Sequence, residues 1–165
     1  MDEPRFKSFF DQTARPLRSY LLGLCRDTMV CDDVFQESYV RFLQSTPGRI
    51  EESKWKSYLY AIATNILRDH WRYASRWKKT EQEADSGNPH MRFDEHLDAR
   101  QGVELALSKL SPRERSLVWL AYVEAYSHRE IAEIMHVREN SVRVLLFRAK
   151  QKLAGILDTL GMGKE

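Results

Sequence analysis

SHREIAEIMHVRENSVRVLLFRAKQK, from Ser127 to Lys152, is the stretch of sequence that decides the fold. Its apolar residues recur as they do in two short helices that a tight turn brings together. This spacing predicts a helix-turn-helix motif. Two core helices with solvated arginines would show the same apolar spacing, and that interpretation stays open. The inward set comprises Ile131, Ala132, Met135, Val137, Val142 and Leu145, with the small Ala132 where the helices approach most closely.

The second helix of this motif would present a largely polar surface to solvent. Such a surface can enter a major groove and contact phosphates, so DNA is the expected partner. The outward residues would be Glu139, Asn140, Arg143 and Val144, with Arg138, Ser141 and Arg148 nearby.

Local signals mark where the helices begin. Ser127 with Glu130 forms one predicted capping box, and Ser111 with Glu114 forms another that has a proline in its first turn. At least three helices are therefore expected in this region. His136 stands where such turns usually have glycine, because φ is often positive there. We expect it to be a tolerated turn residue, not a ligand or a catalyst.

Length and composition limit the possible classes of protein. The 165 residues, 42% of them hydrophobic, allow one domain or two small ones. Cys25 and Cys31 are not accompanied by CxxC pairs or by nearby histidines, which favours reduced cysteines that pack in the core over a zinc site.

The sequence contains no motif that indicates an enzyme or a cofactor. It has no nucleophile motif, no paired-histidine spacing and no glycine-rich phosphate loop. No signal peptide and no apolar run of about 20 residues occurs, which predicts a cytoplasmic protein without membrane insertion.

The charges are divided unevenly along the chain. Residues 53–80 carry a net charge of +6 and residues 128–152 carry +3, whereas residues 81–99 carry −5. Two basic blocks around an acidic segment suit a protein that binds a polyanion at two places. The acidic segment has Gly87, Asn88 and Pro89 near its centre and no apolar periodicity, which predicts a flexible linker. The sequence thus predicts an all-α protein with helical domains at 1–80 and 100–165 and a linker at 81–99.

The first basic block predicts one long helix with two different faces. Leu59, Ile62, Ala63 and Ile66 form a buried stripe. Six aromatic residues are interspersed among seven lysines and arginines in residues 53–80, as on surfaces that hold phosphates and stack on unpaired bases. Core packing and base contact are equally open for Trp55 and Tyr58. The opposite, exposed stripe comprises Asn65, Arg68, Asp69, Arg72 and Arg76.

A further helix is predicted over Cys31 to Gln44, with Val34, Phe35 and Phe42 available for packing. Its other face carries Asp33, Gln36, Glu37 and Arg41, which suits a basic protein surface better than DNA. Exposed carboxylates that serve only solubility would look the same.

These pieces, in this order, resemble the extracytoplasmic-function sigma factors, the small promoter-recognition subunits of bacterial RNA polymerase. The resemblance spans Phe9 to Leu157 and rests on DDVFQESYVRFLQ, on KWKSYLYAIATNILRDHWR and on ALSKLSPRERSLVWLAYVEAYSHREIAEIMHVRENSVRVLLFRAKQKL. It implies a sigma domain 2 helical bundle at 1–80 and a sigma domain 4 helix-turn-helix at 100–165. It also implies core polymerase, through its β′ clamp helices and β flap, promoter DNA in duplex and single-stranded form, and an anti-sigma factor as partners.

The resemblance implies a role for each surface. Asp33, Gln36, Glu37 and Arg41 would dock on the β′ clamp helices. The loop from Thr46 to Ser53 would capture a base flipped out of the minus-ten element, a step that costs a few kcal/mol. The minus-ten strand would be contacted by Trp55, Tyr58, Asn65, Arg68, Asp69, Arg72 and Arg76, with Lys54 and Lys56 on its backbone. The minus-thirty-five element or its phosphates would meet Arg138, Glu139, Asn140, Ser141, Arg143, Phe147 and Arg148.

An alternative remains, because LSPRERSLVWLAYVEAYSHREIAEIM alone also resembles the output domain of a LuxR-type activator. Such a regulator binds duplex DNA without being a polymerase subunit. Its usual receiver domain does not fit the first 80 residues, which are short, helical and basic near their end. His136, Arg138, Val144 and Leu146 also depart from the sigma pattern, which affects the expected minus-thirty-five preference and not the fold.

Overall fold

A computed structural model of the protein describes residues 2–25, 27–45, 47–80 and 99–161. In these ranges the chain forms seven α-helices and no β-strand, which confirms the predicted all-α class. They are α1 (Glu3–Cys25), α2 (Thr28–Gln44), α3 (Trp55–Thr80), α4 (Ala99–Ser108), α5 (Pro112–Val118), α6 (His128–Met135) and α7 (Glu139–Thr159). The predicted linker lies outside the described residues, except for Ala99 at the start of α4.

The N-terminal half is a bundle of α1, α2 and α3 around an aromatic core. The ring of Phe9 stacks on that of Phe42 with centroids 4.8 Å apart, and the Trp55 ring meets both edge-on. Polar groups in this core are paired, since Thr13 Oγ1 lies 2.7 Å from the hydroxyl of Tyr39. The position of α3 is therefore fixed by its packing against both α1 and α2.

Two helix starts differ from the predictions for local reasons. Helix α2 begins at Thr28 and not at Cys31, because the carboxylate of Asp27 accepts hydrogen bonds from the backbone N–H groups of Met29 and Val30. Helix α3 begins at Trp55, after a 3₁₀ turn over Glu52–Lys54. Its predicted buried stripe is present, although Ile62 is only half-buried.

The C-terminal half contains the predicted helix-turn-helix motif in α6 and α7. Ile131, Ala132, Met135 and Val142 of the inward set are buried, and Val137 and Leu145 are half-buried. His136 ends α6 with φ of 54°, so the turn does require the left-handed conformation that was expected there.

The two predicted capping boxes have different outcomes. The box at Ser127 and Glu130 is complete. At the second, Ser111 caps α5 by accepting from the N–H of Glu114, but the reciprocal arm is missing. The Glu114 carboxylate instead accepts from the Ser111 hydroxyl and from Lys152 Nζ at 3.1 Å, which ties α5 to α7.

The two halves pack against each other, a relationship the sequence did not predict. Residues of α5 to α7 belong to the same hydrophobic cluster as the core of α1 to α3. Helix α6 lies against α3, and α5 lies against α1. The members from the C-terminal half are Leu117, Leu120, Ile131, Ala132, Ile134, Met135, Val142 and Leu146.

Candidate nucleic-acid interface

The polar stripe of α3 is partly exposed and partly covered. Asp69 and Arg72 are exposed, whereas Asn65 and Arg68 are half-buried. Arg76 lies on α3, but its side chain lies outside the described part of the structure. The stripe therefore exists as one helix face, with its N-terminal portion less accessible than expected.

The structure separates the two alternatives that were open for Trp55 and Tyr58. Trp55 packs in the core with 6% of its surface exposed, and its indole N–H donates to the carbonyl of Ile50 at 3.1 Å. In this arrangement Trp55 is therefore a core residue and is not accessible to a base, with its ring edge-on to those of Phe9 and Phe42 and the guanidinium of Arg5 over it. Tyr58 is half-buried and lines an open groove.

The loop before α3 lies beside this groove. Thr46 is outside the described residues, and residues 47–54 form two 3₁₀ turns separated by Ile50 and Glu51. Lys54 is exposed, whereas Lys56 is half-buried and pairs with Glu124 of the C-terminal half.

The start of α7 presents the polar surface that the sequence predicted. Its exposed members are Arg138, Glu139, Asn140, Arg143, Phe147 and Arg148, and Ser141 is half-buried. Phe147 is 62% exposed and Val144 is 49% exposed, so two apolar side chains lie on this face. Leu146, the other apolar residue that departs from the sigma pattern, is buried in the core and is therefore not part of this exposed face.

The polar face of α2 is also largely exposed to solvent. Asp33, Gln36 and Arg41 are exposed, and Glu37 is half-buried. Glu37 accepts a hydrogen bond from Arg41 Nε at 2.7 Å, one helical turn away. The four residues thus share one surface that carries net negative charge.

Two hydrogen bonds join α3 to the helix-turn-helix motif. Asn65 Nδ2 lies 2.9 Å from Nε2 of His136, and Arg68 Nη2 donates to the carbonyl of Met135 at 3.0 Å. Both acceptor residues belong to the end of α6. The turn of the motif therefore lies over the N-terminal part of the predicted minus-ten face.

A second set of contacts joins the halves at Glu124. Its carboxylate, whose side chain is 8% exposed, accepts from the Tyr60 hydroxyl at 2.7 Å and pairs with Lys56 Nζ at 3.2 Å. The rings of Tyr60 and Tyr126 meet edge-on at 5.7 Å. Burial, followed by the neighbouring carboxylate, raises the pKa of Tyr60, and the same two causes raise the pKa of Tyr126. We call Lys56, Tyr60, Glu124 and Tyr126 the Glu124 cluster.

Close packing at Gly23 completes the contact between the halves. A Cβ atom added to Gly23 would lie 2.5 Å from Cζ3 of Trp119, so the indole ring requires glycine there. Nearby, the Tyr20 hydroxyl donates to Oγ of Ser116 at 3.2 Å and lies 2.9 Å from Oγ1 of Thr64. Burial raises the pKa of Tyr20.

Sequence reasoning missed the residues that join the halves, although one signal was present. Ile134 lies outside the inward set of the helix-turn-helix motif, yet it is apolar and only 1% exposed. A helix of eight residues that buries apolar side chains on two sides needs a second packing partner. That partner is α3.

The described residues offer little that would hold a metal ion or span a bilayer. No group of three or more His, Cys, Asp and Glu side chains among them is arranged to bind a metal. None of the described helices combines the length and the hydropathy that crossing a bilayer requires. Cys25 and Cys31 are free thiols, and burial raises the pKa of Cys31 to about 12.

Comparisons with known proteins match both halves to one family. Residues 9–77 match the family model of sigma-70 region 2, and residues 100–153 match that of sigma-70 region 4. The chain belongs to the sigma-70 family. It is an RNA polymerase sigma factor of the extracytoplasmic-function group, which directs core enzyme to promoters. The LuxR-type alternative is not favoured, because it accounts for the C-terminal half alone.

Individual relatives of this sigma factor are distant but cover nearly the whole chain. The extracytoplasmic-function sigma factor SigL of Mycobacterium tuberculosis is 27% identical over 94% of this chain and 90% of its own. SigM of Bacillus subtilis is 24% identical over 83% and 85%. Among solved structures, RpoE of Bartonella quintana in complex with the anti-sigma factor NepR has a TM-score of 0.76 at 20% identity, over 93% of this chain and 97% of RpoE. That likeness shows the fold.

Proposed function

We propose that this sigma factor divides promoter recognition between its two basic surfaces. The α3 face contacts the unpaired minus-ten strand, and the start of α7 contacts the minus-thirty-five duplex. The observation that carries this proposal is that the two sigma-70 regions follow each other on one chain and that each contains a helix with an exposed, largely polar face. The factor itself is proposed to catalyse nothing.

On α3, the residues divide by chemistry. Asn65 and Asp69 carry the amide and carboxylate that can read base edges, whereas Arg68, Arg72 and Arg76 carry charges suited to phosphates. Tyr58 lines the groove beside Asn65 and can stack on a base. Lys54, exposed at the entrance to α3, extends the phosphate contacts.

On α7, the exposed polar residues serve the duplex. Glu139, Asn140 and Arg143 lie on the first turns, where a recognition helix meets base edges. Arg138, Ser141 and Arg148 flank them and are assigned to phosphates. Phe147, which is exposed, supplies an apolar contact to DNA.

The acidic face of α2 is proposed to bind core polymerase. Asp33, Gln36, Glu37 and Arg41 form this surface, and its carboxylates suit the basic clamp helices of β′. The β flap is the proposed partner of the C-terminal half. An anti-sigma factor is a further proposed partner, because the similar RpoE was solved with NepR.

Co-purification with core RNA polymerase, followed by transcription from a random promoter library, tests this function. We expect the chain to bind core enzyme and to select a limited set of promoters. Asp33→Lys should weaken co-purification by reversing a charge on the α2 face. Asp11→Lys, at another exposed acidic position, on α1, is the matched control. A chain that binds duplex DNA alone and never programmes core enzyme would contradict the proposal.

A further inference from the structure

A groove between α3 and the C-terminal half brings three arginines together. Arg68 and Arg72 come from α3, and Arg113 comes from the first turn of α5. The groove has a volume of about 450 Å³, a size typical of small-molecule sites in proteins. None of the residues that line it carries a carboxylate, so its lining is positively charged. We call it the arginine groove.

The guanidinium groups of the arginine groove are available to a ligand. Arg72 and Arg113 are exposed, and neither forms an ion pair with another residue of the described ranges. Arg68 donates from Nη2 to the Met135 carbonyl at 3.0 Å, which fixes its guanidinium and leaves further N–H donors for a ligand. Because like charges that line one space repel each other, a bound anion is stabilised there.

An aromatic side chain lines the same groove. Trp71 lies on α3 between Arg68 and Arg72, and it is half-buried. Met135 and Val137 add apolar surface to the lining. An indole ring can stack on a nucleic-acid base of any kind, since every base has a π-face. The arginine groove therefore combines cationic groups that suit phosphates with an aromatic surface that suits a base.

We propose that the arginine groove binds a nucleoside diphosphate or triphosphate, with the phosphates on Arg68, Arg72 and Arg113 and the base on Trp71. Guanidinium groups suit this ligand because they donate paired hydrogen bonds to phosphate oxygens. The volume of the groove also limits the ligand to a small molecule.

Charge density favours such a nucleotide over a nucleic-acid strand. A terminal diphosphate concentrates about three negative charges in one small group near neutral pH, because the second pKa of a phosphate monoester is near 6. Each phosphodiester of a strand carries a single charge. Three guanidinium groups around one groove match the diphosphate, whereas a strand that follows α3 has no need of Arg113 on α5.

The nucleotide would also compete with promoter DNA. It shares Arg68 and Arg72 with the α3 face that is proposed to contact the minus-ten strand, so a bound nucleotide would exclude the strand from both residues. This consequence rests on the proposed function. The nucleotide site itself rests on the composition of the arginine groove, and its test therefore measures binding to the chain without DNA or polymerase.

Isothermal titration calorimetry of the full chain with ADP and with GDP tests the site. The buffer contains EDTA and little salt, so that no divalent cation neutralises the phosphates. We expect one nucleotide per chain and similar affinities for the two bases, because stacking tolerates any base. Pyrophosphate, which has no base, should bind about tenfold more weakly. AMP, which has a single phosphate, should also bind about tenfold more weakly than ADP.

Arg113→Ala tests whether the nucleotide lies in this groove. Arg113 is exposed and is not among the residues proposed to bind DNA. Its loss should weaken ADP binding about tenfold, because a charged hydrogen bond to phosphate is removed. Arg15→Ala, at an exposed arginine of α1, is the matched control and should bind ADP like the wild type. Wild-type ADP affinity in Arg113→Ala would overturn the inference.

Trp71→Leu tests the contact with the base. Leucine keeps an apolar side chain against the core but cannot stack, so ADP should bind about as weakly as pyrophosphate does, with pyrophosphate binding unchanged. A folded Trp71→Leu chain with wild-type ADP affinity would overturn the assignment of the base. If circular dichroism shows that this variant does not fold, the wild-type comparison of ADP with pyrophosphate decides the same point.

Two results with the wild-type chain would also overturn the inference. The first is the absence of binding heat with both ADP and GDP at millimolar concentrations. The second is pyrophosphate binding as tight as that of ADP, which would leave a phosphate site without a nucleotide. Neither result bears on the proposed function, which fails separately if wild-type chain and core enzyme give no promoter-directed transcription.

Discussion

The side-chain amide of Asn65 lies 2.9 Å from Nε2 of His136, so a residue proposed to read the promoter is hydrogen-bonded to the turn of the helix-turn-helix motif. The two residues are 71 positions apart in the chain. Their contact shows that the two halves are placed relative to each other by specific polar groups as well as by apolar packing.

Asn65→Ala should change which promoters are opened, because a direct base contact contributes about 1 to 3 kcal/mol of discrimination. Arg72→Ala should weaken binding to all promoters by a similar factor, because phosphate contacts are independent of sequence. It should also make that binding less dependent on salt concentration. Run-off transcription with core enzyme on promoters selected from the library measures both. If both variants kept the wild-type promoter ranking, the assignment of Asn65 would be wrong.

His136→Gly should leave the free energy of unfolding nearly unchanged, because two opposite effects of similar size cancel. Glycine removes the cost of the left-handed conformation at φ of 54°, which is about 1 kcal/mol, but the hydrogen bond to Asn65 is lost as well, also at about 1 kcal/mol. Asn65→Ala is the control, since it loses the bond without relieving the turn and should be less stable by about 1 kcal/mol. Urea unfolding measures both, and equal stabilities of the two variants would contradict the account.

Arg138→Ser should stabilise the protein and weaken its binding to duplex DNA. Arg138 stands at the N-cap of α7 with extended backbone and no side-chain hydrogen bond to the helix. Serine can cap there, which contributes about 1 kcal/mol and raises Tm by about 2 to 4 °C. Arg148→Ser, which removes the same charge within the helix, should weaken duplex binding without raising Tm. A Tm gain in both variants would exclude capping as the cause.

Stability should fall as the pH rises above about 10, through the buried tyrosines of the Glu124 cluster. The raised pKa values of Tyr60 and Tyr126 keep them protonated in the folded chain, whereas unfolded tyrosines lose their protons near pH 10. The unfolded state then binds fewer protons, so the free energy of unfolding decreases with rising pH.

Tyr60→Phe tests this dependence. The variant should be less stable near neutral pH by roughly 1.5 to 3 kcal/mol, because the hydrogen bond to the Glu124 carboxylate is lost, but its Tm should fall less steeply between pH 9 and about 11. Tyr122→Phe, at a ring that is 57% exposed, is the control and should follow the wild type. Parallel Tm curves for wild type and Tyr60→Phe would show that Tyr60 does not carry the effect.

Much of the local structure could be predicted because it depends on residues close in sequence. The capping box at Ser127 and Glu130 and the buried stripe of Leu59, Ala63 and Ile66 act over one to three turns of helix. The order of the three motifs was enough to indicate the family. The same reasoning could not choose between core packing and base contact for Trp55, because helical spacing says which residues share a face and not what covers that face.

The sequence by itself determined an all-helical chain with a helix-turn-helix motif near its C-terminus and two basic helices suited to DNA. Only the tertiary structure decided that α6 lies on α3 and that Trp119 packs on Gly23. The physical reason is that helix formation follows local periodicity and capping. The docking of the halves depends instead on the matching of two whole surfaces, whose contacting atoms come from residues as far apart as Tyr20 and Ser116.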